Sequence, residues 1–296
     1  MKIVMDNPVI TFGHRGLDSL IGESGLFRGG FTEIAGPPQS GKTTVMLVLT
    51  ARVMAAGGTV AWVNADNTFS PQLASLCGVN TESLLLVPHR DAESLFTLCA
   101  QLAGDVDLLV IDPLSALGSA LEISSPGFSE EMAKSHFRAI SNGLRTLFSA
   151  IALSRTAVLL ASQQRWNPQR GIISASNDEE LEYYASLRLH TEIKRRETGG
   201  GSYHTVEIKQ CRADRQVEGR KVSFFFDPQT GLEPDDGLID LAFEKGIIQV
   251  NPNGGWVMAG WGALPDKEAW MHRLRGDAGL RLELDARLDA LDLLEA

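Results

Sequence analysis

From residue 31 to residue 162, short apolar runs alternate with stretches in which apolar residues recur at helical spacing. Phe31 to Ala35 (FTEIA) leads through a glycine-rich turn into a helical pattern that reaches about Ala56. Thr59 to Asn64 (TVAWVN), Leu84 to Val87 and Leu108 to Ile111 (LLVI) follow, each with a helical segment behind it, and Ala157 to Ser162 (AVLLAS) ends the series. Strands joined by crossovers of helical length pair in parallel, so the pattern predicts an α/β chain with a mostly parallel central sheet.

From Leu187 to about Phe226 the period shortens. The runs LRLHTEIKR, YHTVEIKQC and KVSFFF are separated by the glycines of 199 to 201 and by EGR, which predicts hairpins along one edge of the sheet. Asp227 to Gly237 (DPQTGLEPDDG) gathers Pro, Gly and acids into a turn-rich link. Beyond it, a helix over Leu238 to Lys245, strands around IIQV and GWVMAG, and helices from Asp266 onward predict a small α+β lobe. The chain thus divides into a lead-in (1–30), a core (31–231) and a C-terminal lobe (232–296). The last twenty residues place Leu among Asp and Arg at helical spacing and predict a solvated amphipathic helix.

Composition narrows the class. The 296 residues, with 44% hydrophobic and 22% charged side chains, have enough apolar content to bury a core and exclude a disordered or collagen-like chain. Cys77, Cys99 and Cys211 are an odd number without metal-binding spacing, so they read as small hydrophobes in a reducing compartment. The start, MKIVMDNPVITFGHRG, lacks the apolar segment of a secretory signal, and no run approaches 18 apolar residues. A cytoplasmic protein without a membrane partner is expected.

Gly36-Pro37-Pro38-Gln39-Ser40-Gly41-Lys42-Thr43 fits GxxxxGK[ST]. Glycines let consecutive backbone N–H groups turn inward around a phosphate, the lysine bridges the outer phosphates, and the threonine hydroxyl is offered to Mg²⁺. A chance match is expected in only about one chain in a hundred of this length. A strand before the loop and a helix after it are the context that this chemistry needs. Asp112 ends LLVI, where a carboxylate can hold the Mg²⁺ shell, although a helix N-cap would also use an aspartate there.

Residues across the chain then carry a resemblance. ITFGHRGLDSLIGESGLFRGGFTEIAGPPQSGKTT, FSPQLASLCGVNTESLLLV, VDLLVIDPLSAL, FRAISNGLRTL, ASQQR, YYASLRL and GLIDLAFEKGII resemble, in register over most of the sequence, the bacterial RecA family of DNA recombination and repair ATPases. The resemblance implies a RecA-like P-loop core with ATP and Mg²⁺ on Gly36 to Thr44 (Gly36, Pro37, Pro38, Gln39, Ser40, Gly41, Lys42, Thr43, Thr44) and Asp112. Thr43 and Asp112 would serve the metal. Lys42, Gln163 and Asp66 match the catalytic positions, Gln163 being the glutamine that senses the outer phosphate. The first DNA-binding loop corresponds to about Leu121 to Met132 and the second to Arg165 to about Glu180. Arg138, Arg145, Arg165, Trp166 and Arg170 stand where the family meets DNA, and Lys209 and Arg212 where a neighbouring subunit's nucleotide would be reached.

Each assignment has a plainer competitor. Arg138 and Arg145, seven apart, also fit a solvated helix stripe. Lys194, Arg195 and Arg196 fit an exposed hairpin tip. Trp166 fits either a base-stacking residue or packing beneath its loop.

The sequence departs from the family at several points. Only about thirty residues precede the core strand, too few for the family's N-terminal helix and strand through which subunits grip one another. Asp66 replaces the water-positioning glutamate and is one methylene, about 1 to 1.5 Å, shorter. The two adenine-sandwiching tyrosines align near Leu73 and Asp235. The second loop ends in Asn177-Asp178-Glu179-Glu180, and the first, EISSPGFSEEM, has no Lys or Arg.

The expected function is ATP-dependent binding of single-stranded DNA with DNA-stimulated ATP hydrolysis, slowed by Asp66, in a homo-oligomer or with another RecA-type protein. The alternative is a nucleotide-binding scaffold for a repair protein or polymerase, without strand exchange. A clock- or helicase-type relative is a third reading, against which the C-terminal lobe argues.

The formal net charge of -10 does not exclude DNA. Residues 232–296 hold 13 acidic and 6 basic side chains, so most of the excess belongs to the lobe. Arg188 to Lys221 holds 9 basic against 5 acidic, so weak, salt-sensitive binding confined to the core is expected.

Overall fold

The computed structural model describes residues 9–11, 15–21, 26–125, 129–167, 172–174, 178–196, 200–229, 231–232, 237–252 and 254–295. β1 (Val9–Ile10) and β2 (Leu26–Phe27) form a small antiparallel pair around α1 (Arg15–Ile21). The core then alternates strand and helix: β3 (Phe31–Gly36), α2 (Lys42–Ala55), β4 (Val60–Asn64), α3 (Pro71–Leu76), β5 (Leu85–Pro88), α4 (Ala92–Leu102) and β6 (Leu108–Asp112). After a 3₁₀ turn come α5 (Ala120–Ser124), the 25-residue α6 (Glu130–Ser154) and β7 (Ala157–Gln163).

The boundaries follow local chemistry. Ser70 caps α3 with Pro71 behind it, Asp91 caps α4 and Ser129 caps α6, each side chain accepting a backbone N–H that the first turn leaves without a helical partner. The helix α6 stops at Arg155, which takes a left-handed conformation.

β8 (Arg165–Asn167) and β9 (Ile172–Ser174) form a short antiparallel ribbon, followed by α7 (Asp178–Tyr184). Three long strands come next: β10 (Ala185–Arg196), β11 (Ser202–Cys211) and β12 (Lys221–Asp227), with β13 (Gly231–Leu232) beside the last. Nine strands make one sheet in the order β13-β12-β11-β10-β3-β7-β6-β4-β5. Every pairing from β10 through β3, β7, β6 and β4 to β5 is parallel, and β10 to β13 are antiparallel. The expected parallel sheet with edge hairpins is therefore present.

Its two faces are covered separately. Ile34, Val45, Leu49, Trp62 and Leu159 lie in one apolar cluster beneath α2 and α3. Phe31, Phe96, Leu144, Leu160 and Leu181 lie in the other, beneath α4, α6 and α7. Alternation along the strands divides the side chains between the clusters, as on β3, where Phe31 and Ile34 face opposite ways.

A third cluster around Trp270, Leu241, Met258 and Leu284 builds the C-terminal lobe. It comprises α8 (Leu238–Glu244), the three-stranded antiparallel sheet β14 (Ile248–Val250), β15 (Trp256–Met258) and β16 (Gly262–Leu264), α9 (Lys267–Gly276) and α10 (Ala278–Glu295). Among the described residues, no helix is long and apolar enough to cross a membrane.

The two segments expected as DNA-binding loops are partly regular. α5 and the first turn of α6 occupy both ends of Leu121 to Met132, because Ser119 and Glu122 form a reciprocal capping box that starts a helix. The second segment contains β8, β9 and the start of α7, with Trp166 paired to Ile173, two strand-favouring residue types.

Candidate functional site

The parallel strands end along one edge of the sheet, where Gly36 lies opposite Gln163 and Asn64 opposite Asp112. Open α/β sheets bind ligands at this carboxyl edge. The chain leaves β3 at Gly36, turns through Pro37 to Gly41 and enters α2 at Lys42. Gln39 (φ 62) and Gly41 (φ 96) take left-handed conformations, which glycine adopts without steric cost.

Lys42 folds back over the loop, Nζ donating to the carbonyls of Gly36 (3.0 Å) and Pro37 (2.8 Å). Burial lowers its pKa, opposed by the charge of Asp112. The hydroxyl of Thr43 donates to Oδ2 of Asp112 at 2.9 Å. Burial pushes the Asp112 carboxyl up to about 6, against the hydrogen bond from Thr43, with the charge of Asp66 raising it further. A hydroxyl and a carboxylate beside a phosphate-type loop are hard oxygen donors of the kind that Mg²⁺ prefers, so the residues present fit that ion.

Asp66 lies two residues past β4, and its Oδ1 accepts from the backbone N–H (3.0 Å) and hydroxyl (2.7 Å) of Thr68. Gln163 ends β7 beside Gly36, and the next N–H, that of Gln164, donates to the Gly36 carbonyl at 3.1 Å. The sheet edge thus brings together Gly36 to Thr44, Asp112 and Gln163, with Asp66 close enough for its charge to act on Asp112.

A cavity of about 280 Å³ opens on the loop from Gln39 to Thr44. It is also lined by Leu73 and by Ile193, Ser202, His204 and Phe226 from the antiparallel strands. Leu73 is where the resemblance put an adenine-stacking position; its counterpart Asp235 lies outside the described residues.

The DNA-binding and interface candidates lie elsewhere. Arg138 and Arg145 are exposed on α6, and Arg145 donates to Oδ1 of Asn142 at 2.6 Å. Arg138 borders a separate groove of about 700 Å³ between α4 and α6, shared with Glu93, Glu130 and Glu131. Arg165 and Trp166 stand on β8, with side chains outside the description, and Arg170 lies outside the described residues. Lys194 pairs with Glu192, while the side chains of Arg195 and Arg196 are outside the description. Lys209 is held by Glu207 at 2.7 Å. Arg212 donates to the backbone carbonyls of Glu182 and Tyr183 at the end of α7. Neither Lys209 nor Arg212 borders the cavity at Gln39 to Thr44.

The sequence reading missed the residues that support the loop from the antiparallel strands. Ser40 Oγ lies 2.7 Å from Thr191 Oγ1, and the Ser40 carbonyl lies 2.9 Å from His204 Nδ1. The available signal was alternation: on β11, Ile208 and Val206 face the α2 side, and His204 continues that row toward the loop.

Comparison with known proteins bears on the family of the chain. The profile of the RecA N-terminal domain matches residues 2–223. Protein RecA of Chloroflexus aurantiacus is 31% identical over 262 residues, covering 85% of this chain and 73% of that protein. Protein RecA of Nitratidesulfovibrio vulgaris is 32% identical over 294 residues, covering 95% of this chain and 80% of the relative. Protein RecA of Streptomyces venezuelae is 32% identical over 263 residues, covering 84% and 67%. With a family profile spanning most of its length and relatives of this identity and coverage, the chain belongs to the RecA family.

Proposed function

We propose that this protein binds ATP with Mg²⁺ on Gly36 to Thr44 and Asp112, and acts in the cytoplasm in DNA recombination or repair with single-stranded DNA as the cofactor of its activity. The observation that carries this reading is the meeting of Thr43 and Asp112 beside the loop that Lys42 folds over. When bound, the metal ion would neutralise charge on the phosphates. The core over 31–231 would hold nucleotide and DNA, and the lobe over 232–296 would modulate access. Gln163, next to Gly36, is suited to link the nucleotide to the segment that follows β7.

ATP turnover measured with and without single-stranded DNA tests this. DNA-stimulated turnover is expected; absence of nucleotide binding, or turnover indifferent to DNA with no DNA bound in low salt, would overturn it.

A second reading is a nucleotide-binding scaffold for another RecA-type or repair protein. It is favoured by Asp66, which is shorter than the glutamate that the resemblance places there and is engaged by Thr68. Slow turnover with unimpaired ATP binding would support that reading.

A further inference from the structure

We propose that His204 is a positioning residue of the phosphate loop, holding the peptide between Ser40 and Gly41 in one orientation through the Ser40 carbonyl. The inference rests on reading the loop as a nucleotide site and assigns the loop's geometry to a residue on the antiparallel half of the sheet, 164 positions away.

The argument starts from the peptide bond. It is planar and trans, so its C=O and N–H point in opposite directions. The Ser40 carbonyl is directed at His204 Nδ1, 2.9 Å away, and the N–H of the same peptide, that of Gly41, therefore points away from His204. A carbonyl can only accept, so Nδ1 carries a proton. In the neutral ring Nε2 is then the acceptor, and it lies 2.7 Å from the Ser202 hydroxyl.

The ring has little freedom to move. It stacks on Phe224 with 5.4 Å between centroids and 11° between planes, and only 5% of His204 is exposed. The contact also specifies its partner: a Cβ on Gly41 would lie 2.7 Å from Nδ1, and Gly41 already has φ 96. Thr191 holds the same residue from the side through the Ser40 hydroxyl. The ring is thus held on both sides while its Nδ1 is committed to a peptide of the loop itself.

The test is calorimetric titration of the full chain with ATP·Mg²⁺ and ADP·Mg²⁺, for the wild type, His204→Asn, His204→Leu and His204→Gln, with the thermal midpoint of each protein measured without nucleotide. His204→Leu removes the donor and is expected to weaken both nucleotides about tenfold. His204→Asn can place an amide N–H where Nδ1 stood and is expected to stay within about threefold of the wild type. His204→Gln places its amide one bond farther out and is expected to resemble His204→Leu. Binding by His204→Leu within about twofold of the wild type, or Asn as weak as Leu at an equal thermal midpoint, would overturn the proposal. If His204→Leu does not fold, the Asn and Gln variants decide, and equal affinities would overturn it. A wild type that binds neither nucleotide would overturn the nucleotide-site reading and this proposal with it, a result distinct from a wild type that binds and a Leu variant that binds equally.

Discussion

Thr43 and Asp112 are 69 residues apart in the chain, and the hydroxyl of one meets the carboxylate of the other at 2.9 Å. The first turn of α2 supplies the hydroxyl and the end of β6 the carboxylate, so the contact exists only when the sheet has assembled in its observed order. Thr43→Val keeps the shape and removes the hydroxyl. It should weaken Mg²⁺-dependent ATP binding about tenfold while leaving metal-independent binding nearly unchanged, as read by titration with and without chelator.

The raised pKa of Asp112 makes a separate, ligand-independent prediction. Its carboxyl is neutral in both folded and unfolded chains below about pH 3, and the unfolded chain ionises first as the pH rises. Folding stability is therefore lost as the pH climbs through about 6, the value to which burial pushes the folded group. Asp112→Asn should remove this penalty, stabilising the chelator-treated protein at pH 7.5 by roughly 3 kcal/mol and hardly at all at pH 3.5. Urea unfolding at the two pH values measures the difference; equal effects at both would refute the assignment.

Asp66 should respond to lengthening. The hydrogen bonds from Thr68 hold its carboxylate close to its own backbone. Asp66→Glu extends it by a methylene and should raise DNA-stimulated ATP turnover at least about tenfold, since misplacement on the ångström scale can cost a hundredfold. Unchanged turnover with intact ATP binding would favour the scaffold reading.

Beneath the site, Glu33 on β3 is completely buried, and Arg188 of β10 donates to it across the parallel pair. Arg188→Leu strips this guanidinium from a buried carboxylate and should destabilise the fold by about 3 kcal/mol. Replacing both residues by Leu should recover most of that loss, because two apolar side chains remove the uncompensated charge. Denaturant midpoints of the single and double variants decide it.

Gly143 tests the packing of α4 against α6. A Cβ there would lie 2.0 Å from the Phe96 ring. Gly143→Ala should cost about 1 to 3 kcal/mol despite alanine's better helix propensity. Adding Phe96→Leu should restore part of it in the same unfolding assay.

How much of this was legible in the sequence depended on the range of the interactions. The loop, its flanking strand and helix, and the Asp112 strand end were readable, because GxxxxGKT and the apolar runs are local signals. The hairpin strands β10 to β12 were readable from alternation, and the capped start of α5 could have been found from Ser119 and Glu122. The contacts of Ser40 with Thr191 and His204 were not readable, since they span 151 and 164 residues and depend on strand register. The engagement of Arg212 by the end of α7 was hidden for the same reason.

Ser40 is also a seam. Its hydroxyl meets β10 and its carbonyl meets β11, while its backbone belongs to the turn leaving β3. A shear that slid the antiparallel half of the sheet past the parallel half would have to part both contacts at this residue. Two polar contacts at a single residue thus tie the turn after β3 to the β10–β11 hairpin by a route that bypasses the hydrophobic core.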